Sequence, residues 1–349
     1  MKKYIIGLMS GTSLDGLDIC YTEFSNTNDA INFSIIKAET INYDTDLKEK
    51  LRDAFQFSGV NLMKLDADFG KFLGQKVNEF IKKNNIDKVD LIASHGQTIF
   101  HRPDLGYTTQ IGSGAWINSI TKIKTICDFR TQDVALGGQG APLVPIGDKL
   151  LFSEYKYCLN IGGFANISIK NDDKITAFDI CPANIVLNHY INKMGLAYDD
   201  GGKVASTGKI NQNLLDELNR LEVYESTSPK SFGWEFVEDE ILPIIEKYSL
   251  NIPDILRTYT EHIAIQIANK TKDDKMLITG GGAYHNLLIN RIKNHTSTQV
   301  IIPDKQLIDF KEALIFALLG FLKDENKINI LADVTGASRD HSSGVIFDY

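Results

Sequence analysis

The stretch Met9-Ser10-Gly11-Thr12-Ser13-Leu14-Asp15-Gly16-Leu17-Asp18 lies between two extended apolar runs, Tyr4 to Leu8 and Ile19 to Phe24. This predicts a β-hairpin whose connection is rich in glycine, hydroxyls and carboxylates. Glycine permits close backbone approach to a ligand, and successive N–H groups in such a turn form a concave anion site. Thr12 and Ser13 would add hydroxyl donors. Asp15 or Asp18 could hold hydrated Mg2+ against phosphates, since that ion takes few carboxylates and keeps its waters. An ordinary hairpin turn accounts for the same residues. The loop is not a Walker A loop, because no Gly-Lys-Ser/Thr follows, and a turn that leads into a strand is not the Gly-x-Gly-x-x-Gly turn of a dehydrogenase.

The same pattern returns about 150 residues later. Tyr157 to Ile161 reads as a strand, Gly162-Gly163-Phe164-Ala165-Asn166 as a turn, and Ile167 to Ile169 leads out again. Two such hairpins predict an internal duplication, each half a mixed sheet flanked by helices, the hairpins gripping one polyphosphate across a cleft. Coincidence is the competing reading, as the turns share little beyond glycine. With 349 residues, 43% of them hydrophobic, the chain has material for two domains. A net charge of -8 without a dense basic cluster argues against nucleic acid as a partner. The apolar run Tyr4 to Met9 is too short for a signal peptide and no run is long enough to span a bilayer, so a cytoplasmic protein without membrane attachment is expected. Cys20, Cys127, Cys158 and Cys181 lack the short paired spacing of zinc sites or disulfide frameworks.

Between the hairpins, Asp44 to Phe57 reads as a helix with Asp46 and Glu49 as its capping box, and a second helix ends near Lys83. Gly70 and Gly74 within it would let another backbone approach. Val89 to Ala93 reads as a buried strand running into Ser94-His95-Gly96-Gln97-Thr98, where open α/β sheets place ligands. His95, Gln97, His101 and Arg102 thus enter a cleft, or serve as satisfied structural residues. In Asp128-Phe129-Arg130-Thr131-Gln132-Asp133, Arg130 offers a planar donor fork and Asp133 can accept from sugar hydroxyls. The glycines from Gly137 to Gly140 mark an entry to the second domain or a flexible linker. Asp179 follows the strand Ile175 to Phe178, where it would act as a base or cap the helix beginning near Asn184. Trp234 and Phe236 would face a sugar or pack in the core. Pro253 to Lys270 is a periodic helix, Met276 to Thr279 a strand ending in Gly280-Gly281-Gly282, and Glu312 opens an apolar helix. The triple glycine between strand and helix is a nucleotide signal.

Taken together, Gly11 to Asp18, Ser94-His95-Gly96-Gln97-Thr98, His101-Arg102-Pro103, Asp128-Phe129-Arg130, Gly137-Gly138-Gln139-Gly140-Ala141-Pro142-Leu143, Asn160-Ile161-Gly162-Gly163, Pro229-Lys230-Ser231, Gly280-Gly281-Gly282-Ala283 and Glu312-Ala313 resemble the anhydro-N-acetylmuramic acid kinase family, in unbroken order from residue 7 to the C-terminus. The resemblance implies an α/β fold of two duplicated ribonuclease-H-like, actin-like ATPase domains around a central cleft. Their expected extents are 1–127 with about 325–349, and 128–324. It also implies a reaction, in peptidoglycan recycling: water opens 1,6-anhydro-N-acetylmuramic acid and ATP phosphorylates O6, giving N-acetylmuramic acid 6-phosphate.

By this resemblance Asp179 is the catalytic base. Gly11, Thr12, Ser13, Asp15, Gly16, Asp18, Gly162, Gly163, Gly280, Gly281 and Gly282 meet ATP, and His95, Gln97, Arg130, Asp133 and Asn184 meet the sugar. Glu312 orders metal or water, and Mg2+ binds through the phosphates. A homodimer is the commonest assembly on general frequency. One departure stands out: the family's Asp-Thr-Gly-Pro-Gly-Asn is here Asp179-Ile180-Cys181-Pro182-Ala183-Asn184, which loses a hydroxyl and two glycines. A kinase acting on another sugar, or a non-catalytic ATP-binding actin-like protein, are the alternatives.

Overall fold

The computed structural model describes residues 2–11, 14–27, 30–172, 174–225 and 232–349. They divide into two compact units, Met1–Leu151 with Phe310–Tyr349, and Phe152–Asp309.

In the first unit, β1 (Lys2–Ser10) pairs antiparallel with β2 (Leu17–Thr27), so the glycine-rich connection is a hairpin loop between Ser10 and Leu17. β2 pairs antiparallel with β3 (Ala30–Ile41). On its other side β1 runs parallel to β4 (Leu91–Arg102), and β4 parallel to β6 (Thr125–Cys127). β5 (Tyr107–Ile111) folds back on β4, and β12 (Val345–Phe347) closes the edge antiparallel to β6. β1 is central, so it is buried along a continuous run: Ile5, Ile6 and Leu8 are at most 1% exposed. Edge strand β3 instead alternates half-buried with exposed positions over most of its length.

The helix Gly59–Lys83 presents Leu65, Phe69, Leu73, Val77 and Phe80 to the core at helical spacing. Gly70 and Gly74 do admit a neighbour: a Cβ at Gly70 would lie 2.7 Å from Ser113 O, and one at Gly74 3.0 Å from Ile120 Cβ. Two local expectations change. The preceding helix, Thr45–Asp53, is capped by Asp44, which accepts from Leu47 N, and not by the Asp46/Glu49 pair. β4 does not end at Ala93, because β5 supplies ladder partners from Gln97 to Arg102. His95 and Gln97 therefore sit inside a strand, and Arg102 is exposed and paired with Asp104.

In the second unit, β7 (Tyr157–Ile161), β8 (Phe164–Asn171) and β9 (Lys174–Pro182) form an antiparallel meander. β10 (Lys275–Thr279) runs parallel to β7, and β11 (Gln299–Ile301) parallel to β10. The helix Ile252–Lys270, capped by Asn251 and carrying Pro253 in its first turn, buries Leu256, Tyr259, Ile263 and Ile267 in this unit's core. The order β9-β8-β7-β10-β11 repeats β3-β2-β1-β4-β6 with the same parallel and antiparallel senses. The duplication is thus present in the topology, and it is the ribonuclease-H-like arrangement of actin-like ATPases.

The boundaries expected after Cys127 and before Glu325 both fall inside the first unit. After β6 the chain is held there by Asp133, which accepts from Gly140 N and from Thr335 Oγ1. The returning helix Lys305–Asp324 presses so closely on β1 that a Cβ at Gly7 would meet Ala313 O at 2.0 Å. No helix among the described residues is long and apolar enough to cross a membrane.

Candidate active site

The loop after β1 is closed by Leu14 N donating to Gly11 O. Thr12 and Ser13 lie outside the described residues. Leu14 has φ +56 while its side chain is 9% exposed in the core, a left-handed conformation that a bulky residue keeps only when packing holds it. Asp15 is exposed. Asp18 is not in the turn: it lies in β2 opposite Met9, half-buried, and accepts from Thr40 Oγ1. Gly16 is required by packing, because a Cβ there would come 2.6 Å from Ile41 O.

Beneath this loop Gln97 faces inward, 2% exposed, and its Oε1 accepts from Ser10 Oγ at 2.5 Å. With its proton committed to Gln97, Ser10 Oγ accepts from Tyr43 OH at 2.6 Å. Gln97 therefore braces the end of β1, and it also lines a cavity of about 180 Å³ with Leu14, Thr98 and Ile99.

The second unit's glycines separate by the space around them. A Cβ at Gly280 (φ +81) would lie 2.6 Å from Asn160 Oδ1, and one at Gly282 2.2 Å from Ile161 Cγ2. At Gly162, Gly163 and Gly281 the nearest atoms would be 3.6, 3.7 and 3.8 Å away, ordinary contacts. Packing therefore demands two of the five glycines. The other three present bare backbone that the fold does not require, as a closely approaching ligand would need. Asn184 sits behind this surface, its Nδ2 donating to Ile161 O and its backbone N to Gly162 O. It supports the glycine turn.

Asp179 lies within β9, because that strand continues to Pro182. A register irregularity between Ala165 and Asn166 lies opposite it on β8. It does not cap the following helix, Asn184–Asn192, whose cap position is Ala183 with no side-chain bond. Its carboxylate is half-buried, and Oδ2 accepts from Phe232 N at 2.9 Å. The departures from the family pattern all point inward: Ile180, Cys181 and Ala183 are each 0% exposed. Their side chains are packed in the core and are not presented on the surface beside Asp179.

In the first unit, Arg130 lies behind the end of β6. Its Nε donates to His95 Nε2 at 3.0 Å and its NH1 to Gly140 O at 2.5 Å. An arginine only donates, so Nε2 is the acceptor and the proton of His95 sits on Nδ1, bonded to Gly96 O at 2.9 Å. Burial first, and then the Arg130 charge, pull the His95 pKa down to about 3, so this histidine is neutral and is not a proton donor to substrate. Burial lowers Arg130 to about 10, and it stays charged at neutral pH. Asp133 is 0% exposed with Gly140 N and Thr335 Oγ1 each donating to it at 2.7 Å. Its place as a sugar contact is corrected to that of an internal strut.

Glu312, also in this unit, has its carboxyl raised above the usual range by burial, against the opposing pull of Arg130 and Lys311. A desolvated acid near cations is the kind of environment that functional sites and structural ion-pair networks share. Gln110, which carries no signal in the sequence, and Asp128 line a cavity of about 340 Å³ together with His95 and Gly96. Gln110 contributes a buried Oε1 without a partner, its amide donating to the Thr98 and Thr108 hydroxyls. Asp128, held at φ +55, accepts from Thr131 N on the same wall. An acceptor with no internal donor suits a ligand rich in hydroxyl and amide N–H. Among the described residues no group of three His, Cys, Asp or Glu is gathered to hold a metal ion. Separate carboxylates of this kind fit Mg2+ carried mainly by phosphates and water.

A family profile described as anhydro-N-acetylmuramic acid kinase matches residues 3–349. The protein of that name from Synechococcus elongatus is 33% identical over 378 aligned residues, covering 98% of this chain and 99% of that one. The one from Haemophilus influenzae is also 33% identical, covering 99% and 98%. Among solved structures, the ADPNP-bound activator of a 2-hydroxyisocaproyl-CoA dehydratase from Clostridium difficile aligns at 14% identity with a TM-score of 0.46, over 92% of this chain and 95% of that one. A ROK family glucokinase from Streptomyces griseus with glucose and AMPPNP aligns at 9% with a TM-score of 0.42, over 90% and 98%. With a matching profile over nearly its whole length and full-length relatives at one-third identity, the chain belongs to the anhydro-N-acetylmuramic acid kinase family.

Proposed function

We propose that the protein uses ATP and water to convert 1,6-anhydro-N-acetylmuramic acid into N-acetylmuramic acid 6-phosphate, as a cytoplasmic step of peptidoglycan recycling. Asp179 takes a proton from the water that attacks C1. The C1–O6 bond breaks, O6 takes the γ-phosphoryl group, and ADP leaves. The observation that carries this is the placement of Asp179: a half-exposed carboxylate, excluded from helix capping, and held by a backbone N–H. Bare backbone at Gly162, Gly163 and Gly281 supports a nucleotide in the second unit. In the first, Gly11 and Asp15 are assigned to the phosphates. Arg130 and the cavity of Gln110 and Asp128 are assigned to the sugar's polar groups. Mg2+ would ride on the phosphates, with Asp18 or Glu312 ordering its waters, and would neutralise charge on the transferred group. The buried positions of Ile180, Cys181 and Ala183 favour the family's own sugar over a different one.

The test is mass spectrometry of the anhydro sugar incubated with protein and Mg-ATP. The expected product is heavier than substrate by one phosphoryl group and one water. Asp179→Asn is expected to lower kcat by about 10²- to 10⁴-fold while ATP binding persists. Unchanged turnover would remove Asp179 as the base.

A further inference from the structure

One polar bond that holds Asp179 comes from a residue packed among aromatic rings. Phe232 N donates to Asp179 Oδ2, while the Phe232 ring lies 4.7 Å from Phe236 and 6.3 Å from Tyr224, centroid to centroid. Both rings are anchored. Phe236 packs on the unit's core, and Tyr224 is 6% exposed with its hydroxyl 3.3 Å from His262 Nε2. His262 Nδ1 donates to Asn219 Oδ1 at 2.7 Å, which also accepts from Gln266 Nε2 at 2.8 Å. His262 Nε2 is thus an acceptor and the Tyr224 hydroxyl its donor. His262 and Gln266 belong to the long helix Ile252–Lys270, the same helix whose Tyr259 hydroxyl donates to Pro182 O at the end of β9.

One helix therefore grips both ends of the device, the strand that carries the carboxylate and the ring that carries its donor. We infer that Phe232 is a positioning residue for the reaction: its ring, clamped between Tyr224 and Phe236, holds its N–H on Asp179 and fixes the orientation of that carboxylate. This rests on Asp179 being the base. Orientation matters because a base misplaced by an ångström loses much of its rate without any change in how tightly substrates bind.

The test is steady-state kinetics of the full-length chain. Phe232→Ala is expected to lower kcat by about 10- to 100-fold with both KM values within about twofold, and Phe232→Tyr to restore most of the rate. In the Asp179→Asn background, Phe232→Ala should change the residual rate less than about twofold, because the group it orients has gone. Should Phe232→Ala fail to fold, Phe236→Leu loosens the same clamp and is expected to lower kcat in the same selective way. Wild-type kcat in folded Phe232→Ala, an effect confined to KM, or the same loss with Asp179 already replaced would overturn the inference. Activity in Asp179→Asn alone would instead overturn the assignment of the base.

Discussion

Asp133 offers the sharpest test, because its residue type suggests a sugar contact and its surroundings give it other work. Its carboxylate is 0% exposed and accepts from Gly140 N and Thr335 Oγ1, joining the glycine-rich segment after β6 to the C-terminal part of the first unit. Backbone presses on it directly, since a Cβ at Gly138 would stand 2.3 Å from Oδ2. Asp133→Ala leaves two buried donors without acceptors. Each costs about 1–3 kcal/mol, so the sum is about 2–6 kcal/mol, reduced by relief from burying a charge. A loss of about 3 kcal/mol is expected, a large fraction of the ~5–15 kcal/mol that usually separates folded from unfolded chains. Asp133→Asn keeps one acceptor and turns its amide toward the other donor, for about 1–3 kcal/mol. Urea unfolding with an unchanged m-value measures both. If Asp133→Ala stays within about 1 kcal/mol of wild type while the sugar KM rises tenfold, the strut is refuted and the residue is a ligand contact after all.

His95 and His262 are held near pKa 3 by burial, against an ordinary 6.5, so each is neutral when folded and takes up a proton on unfolding below about pH 6.5. Stability is therefore full above that pH and is lost as pH falls from about 6.5 toward 3, by up to ~1.4 kcal/mol per unit for each histidine. Urea midpoints at pH 7, 6 and 5 should show this, and His262→Gln should flatten the slope; a flat wild-type profile would contradict it. Gly281→Ala has room for its methyl and should raise the KM for ATP with stability within about 0.5 kcal/mol, whereas Gly282→Ala collides with Ile161 and should unfold more readily. Equal stability losses in the two would deny that the first is kept bare for a ligand. Glu312→Gln keeps the shape and removes the charge facing Arg130, and is expected to lower kcat at least tenfold with little change in the unfolding midpoint. Wild-type kcat would exclude a catalytic part for it.

Local pattern carried much of the fold. The two glycine hairpins, the helix Gly59–Lys83 with its small-residue contacts, and the helix Ile252–Lys270 were legible because apolar periodicity and turn chemistry act over a few neighbours. The end of β4 was not, because it is set by pairing with β5, a partner chosen in three dimensions. The same limit applies to direction. Gln97 and Asp133 are polar residues in glycine-rich surroundings, and nothing local says that they turn inward to Ser10, Gly140 and Thr335. In sequence Asp179 reads as either cap or base, and only the run of the strand past it to Pro182 removes the cap. Gln110 lay in a stretch with no turn or charge signal, and it stands out only because folding leaves its carbonyl without a donor.

The division of the chain also governs how it is made. The second unit is one uninterrupted stretch, Phe152–Asp309, whereas the first has its closing edge strand and the partner of Asp133 in Phe310–Tyr349. During vectorial synthesis the later-translated lobe holds all its own parts before the earlier one does, reversing the usual N-terminal-first order. The nascent amino-terminal sheet must wait, with β6 unpaired on its outer side, until Val345–Phe347 has left the ribosome.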